Sequence, residues 1–145
     1  MNTTNTNLER ESFSSEYLSF QLGKEEFCLD ILKVQEIRSY DDITTIANTP
    51  DYVKGVLNLR GEVVPIIDLR IRLNFKQVEY NEFTVVIILN LEDKNLGIVV
   101  DSVSNVIALE VDQVQKLPAS ISNMNNKFIT GVATIDMHTE SPLVY

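Results

Sequence analysis

Short apolar runs that alternate in and out, broken by turn residues every few positions, constrain this chain more than any other feature of it. Residues 17–22 put Leu18, Phe20 and Leu22 on one face and Tyr17, Ser19 and Gln21 on the other, the period of a half-buried strand. Gly23-Lys24-Glu25-Glu26 reads as a turn and Phe27-Cys28-Leu29 as the returning strand. Residues 56–59 and 63–67 form a hairpin pattern around Arg60-Gly61-Glu62. Pro65 has no N–H for a ladder, so it is expected at an edge or a bulge. Residues 84–91 are almost continuously apolar, the signature of a strand covered on both faces. Residues 96–100, then Val103, Val106, Ile107 and Leu109, and finally residues 128–135 continue the β pattern, and 118–127 reads as a polar loop. Strands this short, with little helix between them, point to a barrel or sandwich rather than a parallel sheet.

Helical signals are few. In residues 30–37, Ile31, Val34 and Ile37 stand three apart behind a capping Asp30, yet the β-branched content favours a strand. Residues 43–46 are a short strand candidate, and residues 49–55 predict one helical turn, with Thr49 as cap and Pro50 at the first position. Asp68 is placed to cap a short helix reaching Leu73. The polar stretch that follows suggests a boundary between two lobes near residues 74–83. A weak repeat supports two lobes: Phe27-Cys28-Leu29-Asp30 parallels Ile98-Val99-Val100-Asp101, and Lys54-Gly55-Val56 parallels Thr130-Gly131-Val132 in the same order.

The 145 residues and a hydrophobic fraction of 44% suffice for one domain or for two small lobes sharing a core. A formal net charge of -9, from 12 basic against 21 acidic residues, disfavours nucleic acid and anionic lipid as partners. The longest apolar run, Val85 to Leu89, is far short of the ~20 residues that cross a bilayer, so direct membrane insertion is not expected. Residues 1–15 read as a disordered lead-in, with neither the basic nor the apolar region of a secretory signal. Cys28 is the single cysteine, which excludes an intramolecular disulfide and suits a reducing cytoplasm; between Phe27 and Leu29 it reads as a small buried hydrophobe.

Little here resembles a catalytic constellation. The single histidine, His138, lies in a polar tail, and a Cys28–His138 pair would need a held base. The adjacent carboxylates Glu25-Glu26 and Asp41-Asp42 would point to opposite faces of a strand. There is no phosphate-cradling glycine loop and no cysteine or histidine cluster with metal spacing, so no catalytic residue, cofactor or metal is assigned. Binding fits better. Arg60 stands at a hairpin tip, where an arginine either reaches solvent or anchors an interface, and Glu36 is a candidate carboxylate to hold it by a bidentate pair. A small-barrel enzyme or ligand-binding domain, the alternative, would show a deep pocket with converging polar groups. A single-strand nucleic-acid binder would need a basic groove with stacked aromatics.

The segment Ile31-Leu32-Lys33-Val34-Gln35-Glu36-Ile37-Arg38, the segment Ile46-Ala47-Asn48-Thr49-Pro50, and above all the run from Lys54-Gly55-Val56-Leu57-Asn58-Leu59-Arg60-Gly61 through Ile67-Asp68-Leu69-Arg70 resemble the CheW family of chemotaxis coupling proteins. Thr84-Val85-Val86-Ile87 and Gly97-Ile98-Val99-Val100-Asp101 match it too, and the resemblance runs from about Tyr17 to Ile135 with almost no gaps. It implies an all-β fold of two intertwined SH3-like five-stranded barrel lobes over residues 16–135, with no catalysis and no cofactor. It implies a cytoplasmic adaptor at receptor arrays on the inner face of the membrane, bridging chemoreceptor cytoplasmic tips to the regulatory domain of the histidine kinase CheA. By motif it assigns receptor binding to Val34, Glu36, Gly55, Asn58, Arg60 and Val106, and kinase binding to Leu29, Ile31, Leu32 and Val34. Val34 and Val106 are expected to flank one apolar groove that accepts a helical hairpin. Residues 136–145 depart from the family, which continues with a turn, an apolar strand and a terminal helix; the tail therefore reads as shortened or altered, with the last strand and helix missing.

Overall fold

The computed structural model describes residues 14–110, 113–116, 129–134 and 140–144. Their strands are β1 (Ser14–Leu22), β2 (Glu25–Asp30), β3 (Val34–Ser39), β4 (Val53–Leu59), β5 (Glu62–Asp68), β6 (Val85–Leu91), β7 (Lys94–Val100), β8 (Ser102–Glu110), β9 (Val114–Lys116), β10 (Ile129–Thr134) and β11 (Glu140–Val144). The helical segments among them are a single-turn helix α1 (Leu69–Arg72) and 3₁₀ turns at Ile31–Lys33 and Tyr40–Asp42. One sheet has the order β8-β1-β2-β11-β10-β9 and the other β3-β6-β7-β5-β4. The repeat seen in the sequence is a repeat of topology. In each sheet a hairpin (β4–β5, β10–β11) offers its second strand to a parallel partner (β7, β2), as Ile67 pairs with Ile98 and Leu143 with Cys28. The halves intertwine in the chain: β3 follows β2 but pairs in the five-stranded sheet, and β8 follows β7 but stands beside β1. The fold is thus the expected all-β, two-lobe one.

The residues group into two compact units. The second comprises Phe20–Glu25 and Leu32–Val103, and its core is Leu57, Leu59, Val64, Ile66, Val86, Ile88 and Val99. These alternate along four strands, so one face of the sheet turns inward. The opposite row, Ile67, Ile87 and Ile98, is buried as well. β3 and β4 are the outermost strands in pairing order, yet the sheet is rolled. Tyr40 and Ile43, which follow β3, pack on the core, and Thr44 exchanges two backbone hydrogen bonds of 2.8 Å with Val56 on β4. That pairing covers the outer edge of β4.

Several expectations are corrected here. Pro65 lies neither on an edge strand nor at a bulge, since β5 runs between β7 and β4. Its partner Val56 directs its own N–H and C=O to Thr44, and β7 pairs with β5 only from Ile66 onward, so no bond is lost by the missing N–H. Residues 49–55 form no helical turn. Val53 N donates to Pro50 O at 3.0 Å in a tight turn, and Val53 already pairs with Ile67 as the start of β4. Residues 74–83 lie inside the second unit rather than between lobes, because buried polar side chains draw the segment in: Arg70 donates to Glu79 O, and Tyr80 donates to Asp68. The ambiguous stretch 30–37 resolves into both candidates, a 3₁₀ turn and then β3. Of residues 43–46, Thr44 alone bridges.

The first unit draws its described residues from Met1–Ser19, Glu26–Ile31 and Ser104–Tyr145. Cys28 and Leu109 are buried there with Tyr17, Ile107 and Val114 against them, so Cys28 is the apolar core residue its neighbours suggested. β11 corrects the expectation of a lost last strand. Glu140–Val144 pairs antiparallel with β10, Pro142 opposite Val132, and parallel with β2. Strand pairing is made by backbone groups, and so polar residues can supply it where neighbours offer their edges. Of the lead-in, residues 14–15 belong to β1 and the rest lies outside the described residues, as do the loop 118–127, His138 and the end of the tail.

Candidate protein-docking surface

The β4–β5 hairpin carries the most distinctive motif residues. Leu59 pairs with Glu62, which leaves Arg60-Gly61 as a two-residue loop. Both have positive φ, 49° and 87°, the type I′ pattern whose twist matches that of the flanking strands. Glycine meets this demand freely, whereas Arg60 bears some strain. Asn58 Oδ1 accepts from Gly61 N at 3.1 Å and pins the loop. Gly55 is needed for a different reason. It sits at a register shift with φ 145°, and a Cβ there would stand 2.0 Å from Thr44 O. It is buried, so it shapes the hairpin and is no contact residue.

The rolled sheet brings this tip to β3. Arg60 Nη2 donates to Glu36 Oε1 at 3.0 Å, with the arginine side chain 71% exposed and the glutamate 27%. The partner inferred from sequence is therefore correct, but the contact is single rather than bidentate. The other oxygen of Glu36 faces Arg38 Nη1 at 3.8 Å, and Arg38 reaches Asp42 at 3.4 Å. Two arginines thus share one carboxylate, and Ile37, between Glu36 and Arg38 on β3, points to the other side of the strand and is exposed there. Exposed pairs of this kind contribute little to stability, about 0–1 kcal/mol each. They do orient a long side chain.

The remaining assigned residues differ in access. Val34 is half-buried in the second unit, and Val106 is 53% exposed on β8 in the first, so neither is sealed in a core. Leu32 is 87% exposed and Ile31 half-buried. Leu29 is wholly buried and cannot itself touch a partner.

A buried ionic cluster escaped the sequence reading. Arg70 is 1% exposed, and its Nε and Nη2 donate to the two oxygens of Asp68 at 3.0 and 2.8 Å. Its Nη1 divides between Glu79 O and Asp101 Oδ1, and the other Asp101 oxygen accepts from Gly23 N. Burial disfavours the charged guanidinium, but Asp68 and then Asp101 outweigh it and hold Arg70 more firmly protonated than usual. Burial and the Asp68 carboxylate push the Tyr80 phenol far above its usual range. Tyr80 also stacks on Tyr40 at 4.6 Å. The available signal was an aspartate closing each of two long apolar runs, Asp68 and Asp101, with an arginine two places after the first. Among the described residues, no group of three or more potential metal ligands is brought together, and no helix is long and apolar enough to cross a membrane.

Comparison with known proteins agrees with this architecture. A model of the CheW-like domain matches residues 16–140. The chain is 48% identical over 132 residues to the chemotaxis protein CheW of Klebsiella aerogenes, covering 91% of this chain and 80% of that protein. It is 37% identical to the chemotaxis protein CheW of Treponema pallidum over 119 residues, 79% of this chain and 70% of the other. The crystal structure of the scaffolding protein TtCheW from Thermoanaerobacter tengcongensis superimposes with a TM-score of 0.81 at 27% identity, covering 90% of this chain and 88% of that one. By sequence match and by fold, this chain belongs to the CheW-like family of chemotaxis scaffold proteins.

Proposed function

We propose that this chain is a non-catalytic adaptor that couples the cytoplasmic tips of chemoreceptors to the regulatory domain of the histidine kinase CheA, at receptor arrays on the inner face of the membrane. The observation that carries the reading is Arg60: a side chain from the block most specific to the family stands 71% exposed, held at 3.0 Å by Glu36, where a partner can reach it. An oriented arginine loses less freedom on binding than a loose one, and arginine is enriched where binding energy concentrates. We assign receptor contact to Val34, Glu36, Asn58, Arg60 and Val106, with Gly55 supporting the hairpin from within. We assign kinase contact to Ile31, Leu32 and Val34. Leu32 is the natural anchor, because so exposed a leucine gains most from being covered.

Pull-downs of the full chain with an isolated CheA regulatory domain, and separately with a receptor signalling tip, test the reading. Arg60→Ala should weaken capture of the tip and spare the kinase domain; Leu32→Ala should do the reverse. Capture of neither partner by the unaltered chain would refute the adaptor reading.

A further inference from the structure

On the second unit, away from Arg60 and Leu32 in the chain, lies a recess of about 590 Å³. Its walls come from β1, from the β7–β8 junction and from the segment 74–83: Gln21, Glu79, Asn81, Phe83, Asp101 and Val103. All fall within Phe20–Glu25 and Leu32–Val103. The buried Arg70 builds it from below, since the one guanidinium fixes both Glu79, through its carbonyl, and Asp101, through its carboxylate. Gly23 N fixes the second Asp101 oxygen. The recess is thus held by an ion network and not by loose side chains.

Its chemistry is one-sided. No lysine or arginine lines it, while Asp101 and Glu79 do. Asp68 and Asp101 share the single Arg70, a surplus of one negative charge, and the Glu79 carboxylate adds a second. Lys54 lies over the Tyr80 ring at 5.6 Å and is not part of the lining. Among the described residues, the Glu79 carboxylate has no ion-pair partner. Phe83 is 64% exposed beside it, an unusual position for a phenylalanine. Carboxylate, amide oxygens and an open aromatic ring around one hollow suit a cation on an apolar stem.

We propose that this recess takes an arginine or lysine side chain presented by a partner polypeptide. The charged head would meet Glu79 and the exposed edge of Asp101, with its stem against Phe83 and Val103. The volume admits such a side chain together with its own backbone. This surface is separate from the residues assigned to receptor and kinase, so it stands or falls independently of the adaptor reading.

Amide chemical shifts of the full chain, followed by NMR while acetyl-arginine-methylamide is added, test this. Saturable shifts confined to Gly23, Asn81, Phe83 and Ser102 are expected, weakening as salt is raised. Glu79→Gln and Phe83→Ala, both at exposed side chains, should retain the fold and each weaken binding roughly two- to fivefold. Equal shifts with the uncharged norleucine analogue, no local shifts, or no loss in either variant would overturn the proposal. Spermidine binding as well as the blocked arginine would overturn the assignment to a polypeptide.

Discussion

Gly55→Ala is the substitution for which the structure makes the sharpest forecast. The new methyl would stand 2.0 Å from Thr44 O, 2.8 Å from Thr44 C and 3.0 Å from Ile43 Cγ2, and the first two are backbone atoms that cannot rotate away. The backbone at φ 145° is also one that alanine rarely adopts, which costs about 1–3 kcal/mol. Relieving the clash means moving Thr44 off Val56, and so losing two 2.8 Å hydrogen bonds worth about 1 kcal/mol each. Together these put the loss at about 3–5 kcal/mol, a large part of the ~5–15 kcal/mol that holds a domain together. In a chain of this size the melting temperature should fall by roughly 8–15 °C. Gly61→Ala is the control: φ is 87°, but a Cβ there meets nothing within 4 Å, so only conformational strain of about 1 kcal/mol is expected. Urea unfolding of both variants, followed by circular dichroism, gives the comparison. Equal losses, or a Gly55→Ala loss below about 1 kcal/mol, would refute the close-approach argument.

Arg60→Ala should change stability by less than about 1 kcal/mol, and a double-mutant cycle with Glu36→Gln should return a coupling of the same small size; a collapse in melting temperature would contradict this. Arg70→Leu should cost about 3–5 kcal/mol by stranding Asp68 and Asp101, read in the same urea assay, and a neutral result would mean the cluster is solvated. Tyr80→Phe removes the 2.7 Å bond to Asp68 and should cost about 1 kcal/mol. Because the folded Tyr80 pKa is raised, its contribution is complete below pH ~10, where the free phenol still keeps its proton, and is lost as pH rises beyond that. Stability above pH ~10 should therefore fall more steeply in the unaltered chain than in Tyr80→Phe, and parallel curves would exclude the linkage.

The strands were legible because alternation is a local signal. Leu57 with Leu59 and Val86 with Ile88 announce their faces without reference to any partner. The parallel pairings of β5 with β7 and β11 with β2 were not legible in detail, although the repeat hinted at their likeness. Elements decided by distant backbone were misread. Pro65 looked like an edge residue because the bridge from Thr44 to Val56, which removes the need for its N–H, is invisible in sequence. The polar stretch 74–83 looked like a linker because its anchors, Glu79 O and Tyr80, are fixed by Arg70 and Asp68, which lie outside the stretch. In the candidate site, the Arg60–Glu36 pair followed from charge and hairpin position. That Leu29 and Gly55 are buried, and so are not themselves exposed to a partner, required the fold.

On the proposed reading, this chain couples receptor to kinase through exposed residues held by the hairpin and β3. The most direct measurement is kinase output in a reconstituted mixture of receptor tips, CheA and this chain, with and without chemoeffector. Adding the chain should raise kinase activity and make it respond to the effector, and Arg60→Ala should blunt both while the protein remains folded. Kinase output indifferent to the chain would contradict it, as would full coupling by the Arg60→Ala variant.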